Sequence, residues 1–264
     1  MTKLIINADD FGLTDGVTHG IVEAILQGVV TSTTAMVCVP GAAERLRRWA
    51  PLIPPCIGAH LQLTTGRPLS DLSLIPTLCG ADGNFHKNKH SLINASTHEI
   101  LVEWQAQYSF LLSLGIQPTH IDTHHHVHKL PNVFEAYCEM AKWLQLPARA
   151  VTVAMRNALH HAAVPCADQI NLTFYGDTLD REMFISIATT LSQSMTNDSV
   201  VEIMCHPGYA CTGLPALSKY TYQREKELQI LCDPQVRQHL DRLGVLLSSY
   251  KTLRSRPSLK VSAA

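Results

Sequence analysis

Short apolar segments alternate with longer segments of helical periodicity along most of this chain, and this alternation restricts its fold more than any other feature. The apolar segments predict β-strands at residues 3–8, 33–39, 56–63, 119–123, 149–155, 199–205 and 245–248. After the first of them, Val17, Ile21 and Ile25 recur every four residues and predict a helix that ends near Gly28. Strands that alternate with helices predict an α/β protein with a parallel sheet. We therefore expect a TIM-like (β/α) barrel of parallel strands, in which the regular strands can number fewer than eight.

Further helices are predicted from apolar stripes and local start signals. They lie at residues 41–50, 96–112, from 131 onward, 180–195 and 228–243. Ser96 and Glu99 have the spacing of a capping box, in which both side chains accept backbone N–H groups at a helix start. Residues 64–94, in contrast, are broken repeatedly by proline, glycine and asparagine. A loop of this length in a compact domain usually covers a functional site.

The composition is that of a folded, enzyme-like domain. Of the 264 residues, 46% are hydrophobic and 16% are charged, which allows a large core. We expect one domain over residues 1–250, followed by a C-terminal tail at residues 251–264. With 21 basic and 22 acidic residues the net charge is −1, so the charge pattern indicates no nucleic-acid partner.

The sequence also indicates a cytoplasmic location. No apolar run approaches the roughly 20 residues of a membrane span, and residues 1–9 reach acidic side chains too early for a signal peptide. The eight cysteines form no C-x-x-C pair, and their scatter suits a reducing compartment better than a disulfide scaffold. We expect a cytoplasmic protein with no membrane partner.

A dense row of histidines follows the fourth predicted strand. His120, Asp122, His124, His126 and His128 would share one face if the strand continued through them, because side chains alternate along a strand. Imidazole is both a common metal ligand and a base that titrates near neutral pH. The row predicts a metal site or a proton-transfer site; the alternative is a polar loop with a chance run of histidines.

Other potential ligands stand at the ends of other predicted strands. Asp9 and Asp10 follow the first strand, His60 lies in the third, and His206 follows the strand at residues 199–205. In a parallel barrel the carboxyl ends of the strands meet at one face, where the active site lies. Taken singly, the two aspartates fit a helix cap or a turn equally well. His60 taken alone fits a histidine that is simply buried in the core.

A set of one aspartate and two histidines with open positions suits a divalent ion that binds water and substrate. A closed structural site would favour four cysteine or histidine ligands. The ion could be zinc or a harder metal such as magnesium, and the expected chemistry is hydrolysis. The chain contains no G-x-S-x-G, Walker A or G-x-G-x-x-G motif, which disfavours serine hydrolases and nucleotide-dependent enzymes.

Five motifs together resemble those of the YdjC-like (ChbG-type) carbohydrate deacetylases. In chain order they are Asn7-Ala8-Asp9-Asp10-Phe11-Gly12, Val30-Thr31-Ser32-Thr33-Thr34, Gly58-Ala59-His60-Leu61, the segment at residues 118–128, and Met204-Cys205-His206-Pro207-Gly208. The resemblance extends from about residue 3 to residue 250, which is nearly the whole chain. One departure is Thr123, where serine is common in the family.

The resemblance implies a barrel fold and the removal of acetyl groups from N-acetylated sugars, such as short chitin oligosaccharides or diacetylchitobiose. It implies one divalent metal ion, Mg²⁺ or Zn²⁺, and a homodimer. The residues that match the family's metal ligands are Asp10, His60 and His124. Asp9 matches the family's general base, and Phe174-Tyr175-Gly176 resembles a segment that lines the sugar site, with Tyr175 as a substrate contact.

On this interpretation the remaining histidines have subordinate roles. His206 is a candidate acid or oxyanion partner. Either His206 or His126 protonates the departing amine, and His126 is also a candidate sugar contact. We expect His120, Asp122 and His128 to orient the ligands, and His125 to point the other way.

Two other functions fit part of the pattern. One is a metal-dependent phosphoesterase on a histidine-rich barrel, although the first strand of such an enzyme would carry an early His-x-His motif, where this chain has Asp9-Asp10. The other is a non-catalytic protein that binds a metal or a sugar.

Overall fold

A computed structural model describes residues 1–194, 196 and 198–254 of the chain. The described strands are β1 (Lys3–Phe11), β2 (Ser32–Ala35), β3 (Ile57–Leu61), β4 (Ile121–Thr123), β5 (Gln169–Asn171), β6 (Val200–Cys205) and β7 (Leu246–Leu247). They form one seven-stranded sheet in the order β4-β3-β2-β1-β6-β5, and β7 pairs with the start of β1. Every strand pair is parallel. The sheet curls into a half-barrel, which confirms the predicted α/β architecture with fewer than eight strands.

Helices connect the strands and cover the sheet. They are α1 (Asp15–Leu26), α2 (Ala42–Trp49), α3 (Thr97–Ser113), α4 (Pro131–Leu144), α5 (Val153–His161), α6 (Arg181–Ser194), α7 (Leu214–Leu217), α8 (Gln223–Leu231), α9 (Pro234–Arg242) and α10 (Lys251–Arg254). Short 3₁₀ turns lie at Ala50–Leu52, Leu72–Leu74, Lys89–Asn94 and His124–Lys129. Among the described residues, no helix is both long enough and apolar enough to cross a bilayer.

The core lies between the sheet and the surrounding helices. β1 is buried along almost its whole length, as expected for a central parallel strand covered on both faces. α1 begins where the Thr14 side chain accepts the N–H of Val17, and it ends before Gly28 as predicted. The apolar helix stripes and the strands contribute to one large hydrophobic cluster, whose packing holds the carboxyl ends of β1, β3, β4 and β6 at one side of the sheet.

The predicted strand at residues 149–155 is wrong. Arg149 is fully buried and lies outside any strand, and α5 begins four residues later, where the Thr152 side chain accepts the N–H of Met155. The run of β-branched and apolar residues that predicted a strand is therefore divided between a buried loop and a capped helix. The predicted strands at residues 33–39 and 56–63 are real but shorter, and β5, with three residues, was not predicted.

The predicted capping box at the start of α3 is also wrong. Ser96 occupies the N-cap position, but its side chain makes no capping hydrogen bond. The Glu99 carboxylate instead accepts two hydrogen bonds, of 2.8 Å each, from the backbone and hydroxyl of Thr77. The glutamate therefore ties the long segment at residues 64–94 to α3. Of the predicted tail, residues 251–254 form α10, residues 255–264 lie outside the described part of the chain, and so does Met195 of the predicted helix at residues 180–195.

Candidate active site

One cluster of potential metal ligands lies at the ends of three strands. Asp10 stands near the end of β1, His60 in β3, and His124 directly after β4. The Nε2 atom of His60 lies 3.3 Å from Asp10 Oδ1, and the Nδ1 atom of His124 lies 3.2 Å from the same oxygen. One ligand atom from each of the three residues lies within 4.8 Å of the others, and all three residues are buried. These three atoms converge on one point, as the ligands of a single cation do.

An irregularity in β1 brings two adjacent aspartates into the same pocket. The register between β1 and β2 shifts between Ala8 and Phe11, and Asp10 adopts a left-handed conformation with φ of 74°. Adjacent side chains of a regular strand point to opposite faces. Because the strand is distorted here, Asp9 and Asp10 both line the cavity. A left-handed non-glycine residue costs on the order of 1–3 kcal/mol, a cost that is common at functional sites.

His60 is oriented from behind by a carboxylate. Its Nδ1 atom lies 2.6 Å from Asp122 Oδ1, and the Thr34 hydroxyl donates to Asp122 Oδ2 over 3.1 Å. This partner leaves Nε2 of His60 facing the cluster, the arrangement that metal-binding histidines usually have. Burial alone would lower the pKa of His60, but the carboxylates of Asp122, Asp10 and Asp9 raise it to about 10. The cluster therefore attracts positive charge, which either a proton or a cation can supply.

Asp9 is held by a buried arginine. Two nitrogens of Arg149 donate to the two oxygens of Asp9, each over 2.7 Å, and the amide of Asn7 donates to Asp9 Oδ1 over 2.9 Å. Burial raises the pKa of Asp9, but Arg149 outweighs it and holds that pKa well below its usual value. Asp9 is thus ionised throughout the neutral pH range, and its orientation is fixed by two parallel hydrogen bonds.

Arg149 lies at a second group of potential metal ligands. Asp9, His60 and Asp122 form another group with ligand-like spacing. However, Nη1 of Arg149 lies 2.7 Å from both Asp9 Oδ2 and Asp122 Oδ2. The guanidinium therefore already supplies the positive charge there, and its other contacts are to Glu202. The donor set fits one ion, at Asp10, His60 and His124.

Arg224 binds the outer oxygen of Asp10. This arginine belongs to α8, is buried, and donates to Asp10 Oδ2 over 2.7 Å. Burial raises the pKa of Asp10, but Arg224 and the two histidines lower it well below its usual value. Asp10 therefore presents Oδ1 to the histidines while Oδ2 is held in place.

His206 follows β6 and faces Asp9. Its Nε2 atom lies 3.9 Å from Asp9 Oδ2, and its Nδ1 atom is buried with no hydrogen-bond partner among the described residues. Burial lowers the pKa of His206 to about 4, against the opposing effect of Asp9 and Asp10. His206 is therefore neutral near pH 7, and it can carry a proton on either ring nitrogen.

The histidine row does not lie along one extended strand. β4 ends at Thr123, and the residues after it form a 3₁₀ turn in which His125 and His126 are left-handed, with φ of 57° and 49°. The alternation that would place the row on one face is lost at that point. His125 was predicted to point away, which is wrong: it lines the cavity, with Nδ1 2.9 Å from the Thr64 hydroxyl.

The supporting residues of the row have separate partners. His120 lies 3.2 Å from the Asn7 side chain and stacks on Tyr250 at 3.7 Å between ring centroids. His128 contacts the Thr123 hydroxyl and stacks on Tyr137. Asp122 and, through Asn7, His120 contact the site as expected; His128 supports the turn rather than a ligand.

The cavity above the cluster has a volume of about 590 Å³, which is in the usual range for a small-molecule site. All the predicted site residues line it: Asp9, Asp10, His60, His124, His126, Tyr175 and His206. Tyr175 is half exposed and stacks on Tyr220 with ring centroids 4.1 Å apart. The predicted covering loop contributes Lys87, Asn88, Lys89 and His90 to the rim, and Lys129 lies nearby.

Sequence reasoning missed four charged residues that hold this site: Arg149, Glu202, Arg224 and Glu227. Arg149 and Glu202 stand alone within apolar segments, and an isolated charge in a buried segment is the signal that could have identified them. Arg224 and Glu227 lie in a stretch rich in charge, so nothing in the sequence separates them from a solvated helix face.

Comparison with known proteins relates the whole chain to one family. The family model described as YdjC-like protein matches residues 3–242. A carbohydrate deacetylase of Geobacillus stearothermophilus is 40% identical over 248 residues, which are 94% of this chain and 96% of that protein. A chitooligosaccharide deacetylase of Yersinia enterocolitica serotype O:8 / biotype 1B is 35% identical over 252 residues, 94% of this chain and 97% of that protein.

A solved structure has the same fold. It is a protein of Enterococcus faecalis V583, provisionally named a cellobiose-phosphate cleavage protein, with a TM-score of 0.87 and 34% identity. The match covers 96% of this chain and 98% of that one. The resemblance carried by the five sequence motifs is thereby confirmed. The chain belongs to the YdjC-like protein family.

Proposed function

We propose that this protein is a metal-dependent hydrolase that removes the acetyl group from N-acetylated sugars such as chitooligosaccharides or diacetylchitobiose. The observation that carries the proposal is the convergence of Asp10, His60 and His124 within 4.8 Å of one another, beside the oriented carboxylate of Asp9. The names of the relatives, carbohydrate deacetylase and chitooligosaccharide deacetylase, support the same reaction.

Asp10, His60 and His124 would hold one divalent ion, Mg²⁺ or Zn²⁺. One carboxylate and two imidazoles form a donor set that zinc accepts readily, while magnesium would need more oxygen ligands from water and substrate. A divalent ion held there would supply a Lewis acid that polarises the acetyl carbonyl and lowers the pKa of a bound water. Asp122 keeps Nε2 of His60 directed at the site, and Arg224 keeps Asp10 in place.

Asp9 would act as the general base. It takes a proton from the water as the oxygen forms a bond to the acetyl carbon. Both of its oxygens already accept from Arg149, but a carboxylate oxygen has two lone pairs, so Oδ2 retains an acceptor position on the side of His206. The low pKa makes Asp9 a weak base but keeps it ionised, and its fixed orientation compensates for part of the lost basicity.

His206 would return a proton to the nitrogen as the carbon–nitrogen bond breaks. Its Nε2 atom is 3.9 Å from Asp9 Oδ2, so a proton taken by Asp9 has a short path to this ring. The products are acetate and a sugar with a free amine, which accounts for every atom of the amide and the water. His126, whose Nδ1 is also buried with no partner among the described residues, is the alternative donor or a contact of the sugar.

Tyr175 would form the sugar-binding wall. Its half-exposed ring, backed by Tyr220, offers a flat apolar face to a pyranose. The proposal further includes a single catalytic domain over residues 1–250, a homodimer and a cytoplasmic location; the family resemblance and the scattered cysteines of the sequence support these points.

The test is an assay of one purified sample. Acetate release from N,N′-diacetylchitobiose, lost after treatment with a chelator and restored by Mg²⁺ or Zn²⁺, is the expected result. Phosphate release from a generic phosphate ester without acetate release would support a phosphoesterase instead. A sample that binds metal or sugar but releases neither product would be a binding protein.

A further inference from the structure

Glu227 is a buried acidic side chain behind two cavity-lining residues, His206 and Tyr220, and neither the family resemblance nor the proposed reaction assigns it a role. It lies in α8 with no exposed surface. Each of its oxygens has one partner: Oε2 accepts the backbone N–H of His206, and Oε1 accepts the hydroxyl of Tyr220 over 2.5 Å. The side chain therefore connects two parts of the cavity wall that are distant in sequence.

The first part is the turn that carries His206. Downstream, this turn is held by backbone contacts, since the N–H of Gly208 donates to the carbonyl of Arg224 over 3.2 Å and the N–H of Tyr209 to that of Gly16 over 3.0 Å. α1 packs so closely here that a Cβ on Gly20 would lie 2.6 Å from the Cα of Gly208. The backbone of His206 itself, at the start of the turn, is held by Glu227.

The second part is the aromatic pair, Tyr175 and Tyr220. The Tyr220 hydroxyl donates to Glu227 and accepts the N–H of Gly176 over 3.2 Å, so it fixes the loop that carries Tyr175. The ring of His206 lies 5.5 Å from that of Tyr175 and 5.7 Å from that of Tyr220, measured between centroids. The histidine and the aromatic pair thus touch, and Glu227 binds both from behind.

We propose that Glu227 is a positioning residue that fixes His206 and the aromatic pair relative to each other. This inference rests on the proposed function, in which His206 delivers a proton and Tyr175 holds the sugar. Through one carboxylate, the distance between the proton donor and the bound ring is set by the protein rather than by the substrate. Loss of this link would lower both the rate of the chemical step and the affinity for the sugar.

The decisive variant is Glu227→Gln, which keeps the shape but replaces one acceptor oxygen by a donor. The amide can accept from the N–H of His206 or from the hydroxyl of Tyr220, but not from both. One of the two hydrogen bonds, to the N–H of His206 or to the hydroxyl of Tyr220, must therefore break or reverse its direction. Measured above the pKa of Glu227, about 8, where its side chain is a carboxylate, kcat/KM for diacetylchitobiose should fall roughly tenfold to a hundredfold, with kcat lowered and KM raised.

Glu225→Gln is a matched control. Glu225 lies in the same helix, and its Oε1 accepts the N–H of Ala210, in the loop that follows the His206 turn, over 2.9 Å. Like Glu227 it does not line the cavity, but it contacts neither His206 nor Tyr220 among the hydrogen bonds of the described residues. A purely structural role of α8 would make the two variants alike, whereas we expect the control to keep kcat and KM within about twofold of the wild type.

Tyr220→Phe separates the two links. It removes the hydroxyl but leaves the N–H of His206 bound to Glu227, so KM should rise several-fold while kcat falls less than in Glu227→Gln. In the double variant the losses should be less than multiplicative, because both changes break the same hydrogen bond. If Glu227→Gln does not fold, the rise in KM of Tyr220→Phe still tests the inference.

These experiments test the role of Glu227 separately from the proposed function. Acetate release by the wild-type protein tests the function; the ratios between variants test the role of Glu227. Wild-type kcat and KM in Glu227→Gln would overturn the inference, as would equal losses in Glu225→Gln. A fall in melting temperature with unchanged kinetics, or a Tyr220→Phe variant with unchanged KM, would overturn it as well.

Discussion

The floor and the rim of the cavity are built in different ways. On the floor, Asp9, Asp10, His60 and Arg149 are almost fully buried, and each is held by at least two partners. At the rim, Lys87, Asn88, Lys89, His90 and Lys129 are exposed. In the proposed function, the buried residues at the strand ends would carry out the chemistry, while the exposed loop residues would meet the incoming substrate. The difference predicts that mutations at the floor abolish activity and those at the rim tune it.

The two adjacent aspartates provide the strongest test of the floor. In Asp10→Asn one ligand oxygen is replaced by an amide, and we expect loss of metal binding and a fall in kcat of about a thousandfold or more. In Asp9→Asn the metal should still bind, and kcat should fall by about a hundredfold to ten-thousandfold, the usual contribution of a general base. Metal content and acetate release measure both. Near-normal activity in Asp9→Asn would show that the base lies elsewhere.

Arg149→Met tests how far the floor depends on one buried cation. The change leaves Asp9, Asp122 and Glu202 without their shared positive partner, so we expect a loss of about 3–5 kcal/mol in the free energy of unfolding. The control is Arg48→Met, because Arg48 forms exposed ion pairs with Glu44 and Asp15. Its loss should be below about 1 kcal/mol. Similar denaturation midpoints for the two variants would contradict the expected difference between the buried Arg149 and the exposed Arg48.

The wall between floor and rim should have its own pH dependence of stability. Burial raises the pKa of Glu227 from its usual 4.5 to about 8, against the opposing effect of its hydrogen bonds from His206 and Tyr220. A pKa raised in the folded state means that the unfolded chain loses this proton first, so stability declines as pH rises from 4.5 through 8. Over that range the melting temperature of the wild type should fall by a few degrees relative to Glu227→Gln. If the difference in melting temperature between the wild type and Glu227→Gln did not change over this pH range, the predicted direction would be wrong.

The smallest effects are expected at the rim. Lys87→Ala and Lys89→Ala remove exposed charges, so we expect kcat to be unchanged and KM for diacetylchitobiose to change by no more than about threefold. Steady-state kinetics measures both parameters. A large loss of kcat at either position would mean that the rim takes part in the chemistry, and the distinction between floor and rim would fail.

The sequence predicted the residues of the cavity floor better than the partners that hold them in place. Asp10, His60, His124 and His206 were identified because apolar strands end at them, and in a parallel sheet such ends meet by geometry. The three-dimensional partners were not visible in that pattern. Arg149 lies among apolar residues that resemble a strand, and nothing local indicates that three carboxylates from other strands surround it.

Local backbone geometry also limited what could be predicted from the sequence. The alternation of the histidine row assumed an extended chain, but two consecutive left-handed residues, His125 and His126, turn the backbone immediately after β4. Histidine adopts this region more often than most residues but still uncommonly, so two in succession depend on tertiary contacts such as that between His125 and Thr64. The same reason explains why the conformation of Asp10 was not predicted.

The pairing of β7 with β1 has a consequence for the order in which the protein acquires its active site during synthesis. β1 carries both aspartates and is synthesised well before its partner β7 and the adjacent Tyr250, which donates to Glu202 and stacks on His120. Until then the Arg149 network lacks a member. A nascent chain that stops before residue 246 would therefore carry the proposed metal ligands Asp10, His60 and His124 on an incomplete support, which is completed only when β7 pairs with β1.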